Sequence, residues 1–151
     1  LHVIGDIDML PDAVTAELKD ALNETAGNTG LHLIMVLSYS SRWEITEAVK
    51  QIANEVKEGN LQPASITQKT VENYLATKDF PDPELMIRTS GEYRVSNFLL
   101  YQIAYAELYF TNTLWPDFRK ENLYAAILDF QSRERRFGKT GEQVKDREAT
   151  G

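Results

Sequence analysis

Apolar positions along this chain occur in short continuous runs and in longer segments with helical spacing. The continuous runs are Leu1 to Gly5, Leu31 to Leu37 and Leu85 to Ile87, and Glu107 to Phe110 is also expected to be extended. A run that is apolar at nearly every position is typical of a strand covered on both faces, as in a parallel sheet.

The segments between the strands repeat their apolar residues every three or four positions, which predicts helices. Val14, Leu18 and Leu22 share one face of the first helix, and Pro11 suits its first turn. The other predicted helices are Trp43 to Val56, Thr67 to Ala76, Asn97 to Ala104 and Glu121 to Phe137. This order of elements predicts an α/β fold in which a mostly parallel central sheet is flanked by helices.

Length and composition predict one globular domain. The chain has 151 residues, of which 42% are apolar and 26% charged. Residues 1 to 138 are expected to form the domain, and the polar residues 139 to 151 a flexible tail. The first residue is not Met and LHVIG reads as a strand already under way, so we expect the N-terminal part of the domain to precede Leu1.

Composition excludes several classes of site. Without cysteine the chain has no disulfide, no thiolate nucleophile and no Cys-ligated zinc. The formal net charge of −7 opposes a broad nucleic-acid interface, because binding along a phosphate backbone needs a basic face. No apolar run approaches the roughly 18 residues of a membrane span. Any basic site is therefore local.

A polar loop with two arginines follows the third apolar run. It contains Arg88, Thr89, Ser90, Gly91, Arg94 and Ser96. Guanidinium groups, hydroxyls and backbone N–H groups turned inward at a glycine recognise phosphate. Ligands of open α/β sheets also bind beyond the carboxyl ends of strands. Apolar residues follow the loop, so the sequence predicts a site for an anion attached to an apolar body. In the alternative, Arg88 simply pairs with a surface carboxylate.

Glu107 is a lone carboxylate among neutral neighbours. A carboxylate beside a phosphate-binding loop points to a divalent cation, and Mg²⁺ is the ion we expect. The alternative is a solvated strand residue. Tyr93 and Tyr101 are expected to be packing or rim aromatics. His2 and His32 are too far apart in sequence to predict a metal pair, so we expect core or edge histidines.

Two further polar segments adjoin predicted helices. Ser38, Ser40, Ser41 and Arg42 follow the second strand and precede a helix, whose N-terminus would favour an anion. In the alternative, Ser41 caps this helix and Arg42 lies on the surface. The sequence RERRFG at residues 133 to 138 either complements a helix dipole or reaches a neighbouring subunit.

These residues together resemble the cis-prenyltransferase family, most closely the C-terminal portion of its bacterial undecaprenyl diphosphate synthases. The similarity runs from about His2 to Gly138. Its most specific motifs are AGNTGL at 26 to 31, GNLQP at 59 to 63, IRTSGEYRVSNFLLYQIAYAELYF at 87 to 110, LWPDF at 114 to 118 and RERRFG at 133 to 138.

The resemblance implies an enzyme that condenses isopentenyl diphosphate onto an allylic diphosphate, farnesyl diphosphate, with Mg²⁺ as cofactor. The product would be a long cis-polyprenyl diphosphate, the undecaprenyl carrier lipid of cell-wall synthesis. Arg88, Arg94 and Ser96 would hold the diphosphate of the isopentenyl unit. Glu107 would help to bind Mg²⁺.

The resemblance also implies a homodimer. Arg136 and Gly138 match an R-x-G element that reaches across a dimer interface to the partner's diphosphate site. Leu31 and its strand neighbours would line the apolar tunnel in which the product grows. The protein would be cytoplasmic and could meet the inner face of the membrane through its lipid product.

The chain departs from the family's pattern in three places. Relatives often have His where this chain has Tyr93, and Asn-Tyr-Gly-Gly-Arg where it has residues 38 to 42. The Asp-Gly-Asn-Gly-Arg-Trp loop, which binds the allylic diphosphate and supplies the essential aspartate, is absent from these 151 residues. We therefore expect no catalytic residue here and no activity of this chain alone. Two other functions stay open: a non-catalytic partner subunit, and an anion-binding module without chemistry.

Overall fold

The computed structural model describes residues 1 to 133, so the predicted tail and the R-x-G pair Arg136 and Gly138 lie outside the described residues. The chain divides into two compact units. The first comprises residues 1 to 81 and 96 to 101, and the second comprises residues 82 to 95 and the residues from 102 onward. A single domain over residues 1 to 138 stays a prediction.

The first unit pairs two short parallel strands and adds three helices. Strand β1 (His2–Ile4) lies parallel to β2 (Ile34–Val36), with Val3 opposite Met35. The helices are α1 (Asp12–Thr25), α2 (Ser41–Glu58) and α3 (Gln68–Glu72). The buried apolar residues of this unit are Ile4, Ala48, Ile52 and Leu75. Burial of one face of α2 accounts for its 3.6-residue period.

In its described part, up to residue 133, the second unit contains a parallel strand pair and one α-helix. Strand β3 (Leu85–Arg88) lies beside β4 (Glu107–Phe110), with Leu85 opposite Glu107 and Arg88 opposite Phe110. Helix α4 (Lys120–Ser132) follows and buries Ala126. The four strands found between residues 1 and 133 thus pair two by two, one pair in each unit. The predicted α/β class with parallel strands and helices is confirmed.

Local end signals explain where α2 begins and ends. The Ser40 side chain caps the helix by accepting a hydrogen bond from the Trp43 N–H at 3.4 Å. Gly59 follows the last turn with φ of 81°, a left-handed conformation that glycine adopts without penalty. The helix therefore exceeds the predicted Trp43 to Val56 at both ends.

Several predicted elements differ from the structure. The last helix ends at Ser132 and not at the predicted Phe137. Residues 97 to 104 form turns and not the predicted helix. The second strand is limited to Ile34–Val36, and Leu31, predicted to lie in it, is 92% exposed. Helix α3 is shorter than the predicted Thr67 to Ala76. Across residues 1 to 133, no helix combines the length and the apolar character needed to cross a membrane.

Candidate functional site

The loop after β3 is tied to the segment after β4 by backbone hydrogen bonds. Ser90 and Gly91 have left-handed backbones, with φ of 70° and 67°. The Ser90 N–H donates to the Thr113 carbonyl and the Gly91 N–H to the Thr111 carbonyl, both at 2.9 Å. The sequence predicted that backbone amides of this loop bind phosphate. These two amides are not free to do so, because each already donates to a carbonyl.

The two arginines of the loop have different surroundings. Arg88 ends β3, and its guanidinium makes no ion pair or hydrogen bond to any residue between 1 and 133. Arg94 is 67% exposed and forms an ion pair with Glu92. The alternative pairing of Arg88 with a surface carboxylate is therefore not found among residues 1 to 133, whereas Arg94 has such a partner. Within the described residues, Arg88 keeps its full set of donors for a ligand at the carboxyl end of the strand.

Glu107 begins β4, opposite Leu85, and so lies at the other end of the strand pair from Arg88. The two positions are three residues apart along the strands, or about 10 Å. Glu107 Oε2 accepts a hydrogen bond from Arg133 at 2.9 Å, and the Glu107 side chain is 28% exposed. Glu107 is therefore a partly covered, ion-paired carboxylate and not the solvated strand residue of the alternative interpretation.

Arg133 joins the end of α4 to strand β4. Its guanidinium also donates to the Leu108 carbonyl at 3.1 Å and lies 2.5 Å from Asp129 on the preceding helical turn. The hydrogen bond to Glu107 is the main cause of a raised pKa of Arg133, and the neighbouring Asp129 raises it too, while burial lowers it. Both carboxylates thus favour the charged form of the guanidinium.

We missed this contact in the sequence, where Arg133 counted only as one of several basic residues near a helix end. Its spacing of four from Asp129 is a visible signal for a helical ion pair. The link to Glu107 spans 26 positions. No local pattern encodes it.

Replacing Arg133 with glutamine is expected to lower the free energy of unfolding of the full-length protein by about 1 kcal/mol, because one guanidinium serves two carboxylates and a carbonyl. The loss should shrink in 1 M salt, since these groups are partly exposed. Urea denaturation at both salt concentrations measures it. Lys50→Gln, which removes a single exposed pair with Glu47, is the control and should change little. Equal effects of the two substitutions would contradict the assigned role of Arg133.

The N-terminus of α2 has no free amide for an anion. The Ser41 N–H donates to the Asn97 carbonyl at 2.8 Å, and the Arg42 N–H donates to Asn97 Oδ1 at 3.0 Å. Ser40 caps the next amide, on Trp43. Both interpretations of this segment therefore need correction: the helix end is occupied by protein groups, and the N-cap is Ser40 and not Ser41. Arg42 is exposed, as the alternative predicted.

Ser96 belongs to the first unit. Its φ is 47°, and its exposed hydroxyl makes no hydrogen bond with residues 1 to 133.

Tyr101, also in the first unit, donates to the Gln68 carbonyl at 3.4 Å. In the second unit the Tyr93 ring lies 5.4 Å from that of Phe110. Tyr101 is half-buried and Tyr93 is exposed beside Phe110, which agrees with the predicted packing or rim positions.

The two histidines lie together, contrary to the prediction from their separation in sequence. His2 Nε2 is 3.0 Å from His32 Nδ1, and the rings stack at 5.2 Å. Parallel pairing of His2 with Ile34 brings His32, two residues earlier, to the same strand end. Across the described residues, no group of three or more His, Asp or Glu side chains is arranged to hold a metal.

The model of the family described as "Putative undecaprenyl diphosphate synthase" matches residues 1 to 138. The chain belongs to the cis-prenyltransferase family. An isoprenyl transferase of Chlorobaculum tepidum is 53% identical over 148 residues, which cover 98% of this chain and 56% of that protein. A ditrans,polycis-undecaprenyl-diphosphate synthase of Pseudomonas syringae, named as specific for (2E,6E)-farnesyl diphosphate, is 47% identical over 145 residues. These residues cover 96% of this chain and 58% of the Pseudomonas protein.

The fold comparison agrees with this assignment. Lavandulyl diphosphate synthase from Lavandula x intermedia, solved in complex with dimethylallyl diphosphate, matches with a TM-score of 0.88 and 38% identity. The match covers 91% of this chain and 59% of that one. This cis-prenyltransferase chain therefore spans little more than half the length of the relatives it matches. The resemblance predicted from the motifs is confirmed.

Proposed function

We propose that this chain is part of an enzyme that extends a prenyl chain by condensing isopentenyl diphosphate onto an allylic diphosphate. Farnesyl diphosphate is the proposed allylic substrate, and undecaprenyl diphosphate for cell-wall synthesis the proposed product. The observation that carries this proposal is the guanidinium of Arg88 at the carboxyl end of β3, which has no partner among residues 1 to 133. The names of the relatives, isoprenyl transferase and undecaprenyl-diphosphate synthase, support the reaction.

The reaction forms one carbon–carbon bond and breaks one carbon–oxygen bond. The isopentenyl double bond attacks the allylic carbon, the diphosphate leaves with the electron pair, and a proton is lost from the isopentenyl unit. The described residues would bind and orient the second substrate, and such positioning lowers the entropic part of the barrier. Arg88 would hold the isopentenyl diphosphate through charge-assisted hydrogen bonds. Arg94 would join it after leaving Glu92, and Ser96 would donate its hydroxyl, which makes no hydrogen bond to residues 1 to 133.

Mg²⁺ is the proposed cofactor, and it would neutralise diphosphate charge. Glu107 offers one carboxylate, whose Oε2 is shared with Arg133 and whose Oε1 has no hydrogen bond to residues 1 to 133. Mg²⁺ commonly binds through one or two carboxylates, with phosphate oxygens and water completing its shell. A single carboxylate from this part of the chain fits that mode of binding.

Glu107→Gln in the full-length protein is expected to lower the rate about tenfold and to raise the Mg²⁺ concentration needed for half-maximal rate, because the amide keeps the shape of the side chain but loses its charge. Titrating Mg²⁺ at saturating substrates measures both effects. Glu47→Gln, on the exposed face of α2, is the matched control. Wild-type Mg²⁺ dependence in Glu107→Gln would assign Glu107 a structural role only.

The test of the proposed function is turnover of the full-length protein with farnesyl and isopentenyl diphosphates and Mg²⁺, followed by chromatographic sizing of the product. A long polyprenyl product supports the proposal. Product formation only after a second, different subunit is added would support a non-catalytic partner. Binding of inorganic diphosphate as tightly as isopentenyl diphosphate, without turnover, would support an anion-binding module. Sedimentation of the same sample tests the proposed homodimer.

A further inference from the structure

The turn that carries Ser96 has an unfavourable backbone. Ser96, Asn97 and Leu99 have φ of 47°, 60° and 45°, in the left-handed region. Only asparagine among these three enters that region readily, and leucine is disfavoured there because its Cβ approaches its own carbonyl. Three such residues within four positions do not hold this shape by themselves. The turn therefore depends on contacts from elsewhere in the first unit.

The start of α2 supplies those contacts. Asn97 is held from two sides, since its carbonyl accepts from the Ser41 N–H and its side-chain Oδ1 from the Arg42 N–H. Ser41 Oγ in turn accepts the Leu100 N–H at 2.6 Å. One residue, Ser41, thus both donates to and accepts from the turn, at positions on either side of Leu99.

The Ser41 hydroxyl is fixed in place. Ser41 is fully buried, with 0% of its surface exposed, and its Oγ also lies 3.2 Å from the Tyr39 hydroxyl. Tyr39 donates to the buried carboxylate of Glu44 at 2.6 Å. A hydroxyl held in this way has little freedom to turn from the Leu100 N–H to another partner. Without it, that N–H would have no acceptor in the same place.

We propose that Ser41 is a positioning residue for diphosphate binding: its hydroxyl fixes the turn at residues 96 to 101 and thereby the hydroxyl of Ser96. The inference rests on the proposed function, in which Ser96 binds the isopentenyl diphosphate. Ser41 itself does not touch the substrate. It acts by holding the strained turn in the conformation that presents Ser96, so the ligand finds the donor already in place.

The test compares Ser41→Ala with Ser40→Ala in the full-length protein. Ser41→Ala removes the acceptor for the Leu100 N–H and is expected to raise the KM for isopentenyl diphosphate about tenfold, while kcat and the KM for farnesyl diphosphate change less than threefold. Ser40→Ala removes the hydroxyl that caps the same helix end but has no bond to the turn. It should lower the melting temperature without changing the KM for isopentenyl diphosphate.

Arg88→Ala, assayed alongside, distinguishes failure of the proposed function from failure of the positioning role of Ser41. A raised KM in Arg88→Ala together with a wild-type KM in Ser41→Ala would overturn the positioning role and leave the proposed function intact. Equal KM increases in Ser40→Ala and Ser41→Ala would also overturn it, because general loosening of the helix end would then explain both. A wild-type protein with no isopentenyl-dependent turnover would refute the proposed function and this inference together.

A second variant covers the case in which Ser41→Ala does not fold. Asn97→Gly keeps a residue that tolerates the left-handed backbone but deletes the side-chain acceptor of the Arg42 N–H. It is expected to raise the same KM about threefold to fivefold through the loosened turn. A wild-type KM in Asn97→Gly would overturn the inference.

Discussion

Arg88→Ala in the full-length protein is expected to reduce kcat/KM for isopentenyl diphosphate by roughly 30- to 1000-fold, about 2–4 kcal/mol of transition-state stabilisation. Arg88 is the last residue of β3, and its guanidinium has no protein partner in residues 1 to 133. Its loss should therefore remove a ligand contact without breaking an ion pair within these residues. Stability should therefore stay close to that of the wild type. Steady-state kinetics with each substrate varied in turn measure the effect.

Two further variants make this experiment specific. Arg94→Ala should have a smaller effect, because Arg94 is 67% exposed and must first leave Glu92. Lys57→Ala removes a positive charge from an exposed position on α2 and controls for net charge. If kcat/KM fell equally in Lys57→Ala and Arg88→Ala, Arg88 would act only through the net charge of the protein and not through a contact with the diphosphate. Unchanged isopentenyl kinetics in both arginine variants would refute the assigned binding role.

Elements whose signals are local were predicted well from the sequence. Strand β4 matches the prediction residue for residue, and α2 differs by two residues at each end. An apolar period, a serine at the N-cap and a glycine after the last turn act within a few positions of one another. Such signals do not depend on the rest of the fold, and a sequence displays all of them.

The segment at residues 97 to 104 shows where local reasoning fails. Its apolar residues have a spacing that suits a helix, yet it forms turns. The Leu100 N–H donates to Ser41 Oγ, 59 positions away, and not to a carbonyl four residues earlier. Asn97 likewise satisfies two amides of α2. Tertiary hydrogen bonds thus replace the helical ones, and a period of apolar residues does not reveal them.

The candidate site was predicted in its residue types but not in its contacts. The guanidinium of Arg88, which has no partner in the described part of the chain, lies at a strand's carboxyl end, where sequence reasoning placed an anion site. The amides of Ser90 and Gly91 were expected to face a phosphate, but they bind carbonyls that follow β4. The Arg133 bond to Glu107 and the pairing of the two histidines also arise from distant segments. Strand pairing sets the loop and histidine contacts, and the packing of α4 against β4 sets the bond between Arg133 and Glu107.

Gly5→Ala should be the most destabilising of the substitutions considered, with a loss of about 3 kcal/mol or more in the free energy of unfolding. Gly5 follows β1 with φ of 121°, a conformation that L-residues rarely adopt. A Cβ placed on Gly5 would lie 1.8 Å from the Leu37 carbonyl oxygen. Alanine therefore combines backbone strain with a steric clash.

The chain around Gly5 cannot easily move away from this clash. The Leu37 N–H donates to the Ile4 carbonyl at 3.0 Å, and the Asp6 N–H donates to the Ser38 carbonyl at 3.2 Å. These bonds hold the backbone on both sides of Gly5 against the segment that contains the obstructing oxygen. Relief of the clash would break at least one of them and expose its polar groups, which adds to the cost.

Gly27→Ala is the matched control, because a Cβ there meets no atom within 4 Å and its φ is not left-handed. That substitution should be neutral or slightly stabilising, by up to about 1 kcal/mol, since alanine reduces the conformational entropy of the unfolded chain. Urea denaturation of the full-length protein gives both free energies. Similar midpoints for Gly5→Ala and Gly27→Ala would contradict the close approach of β1 to the residues after β2, and with it the β1–β2 register.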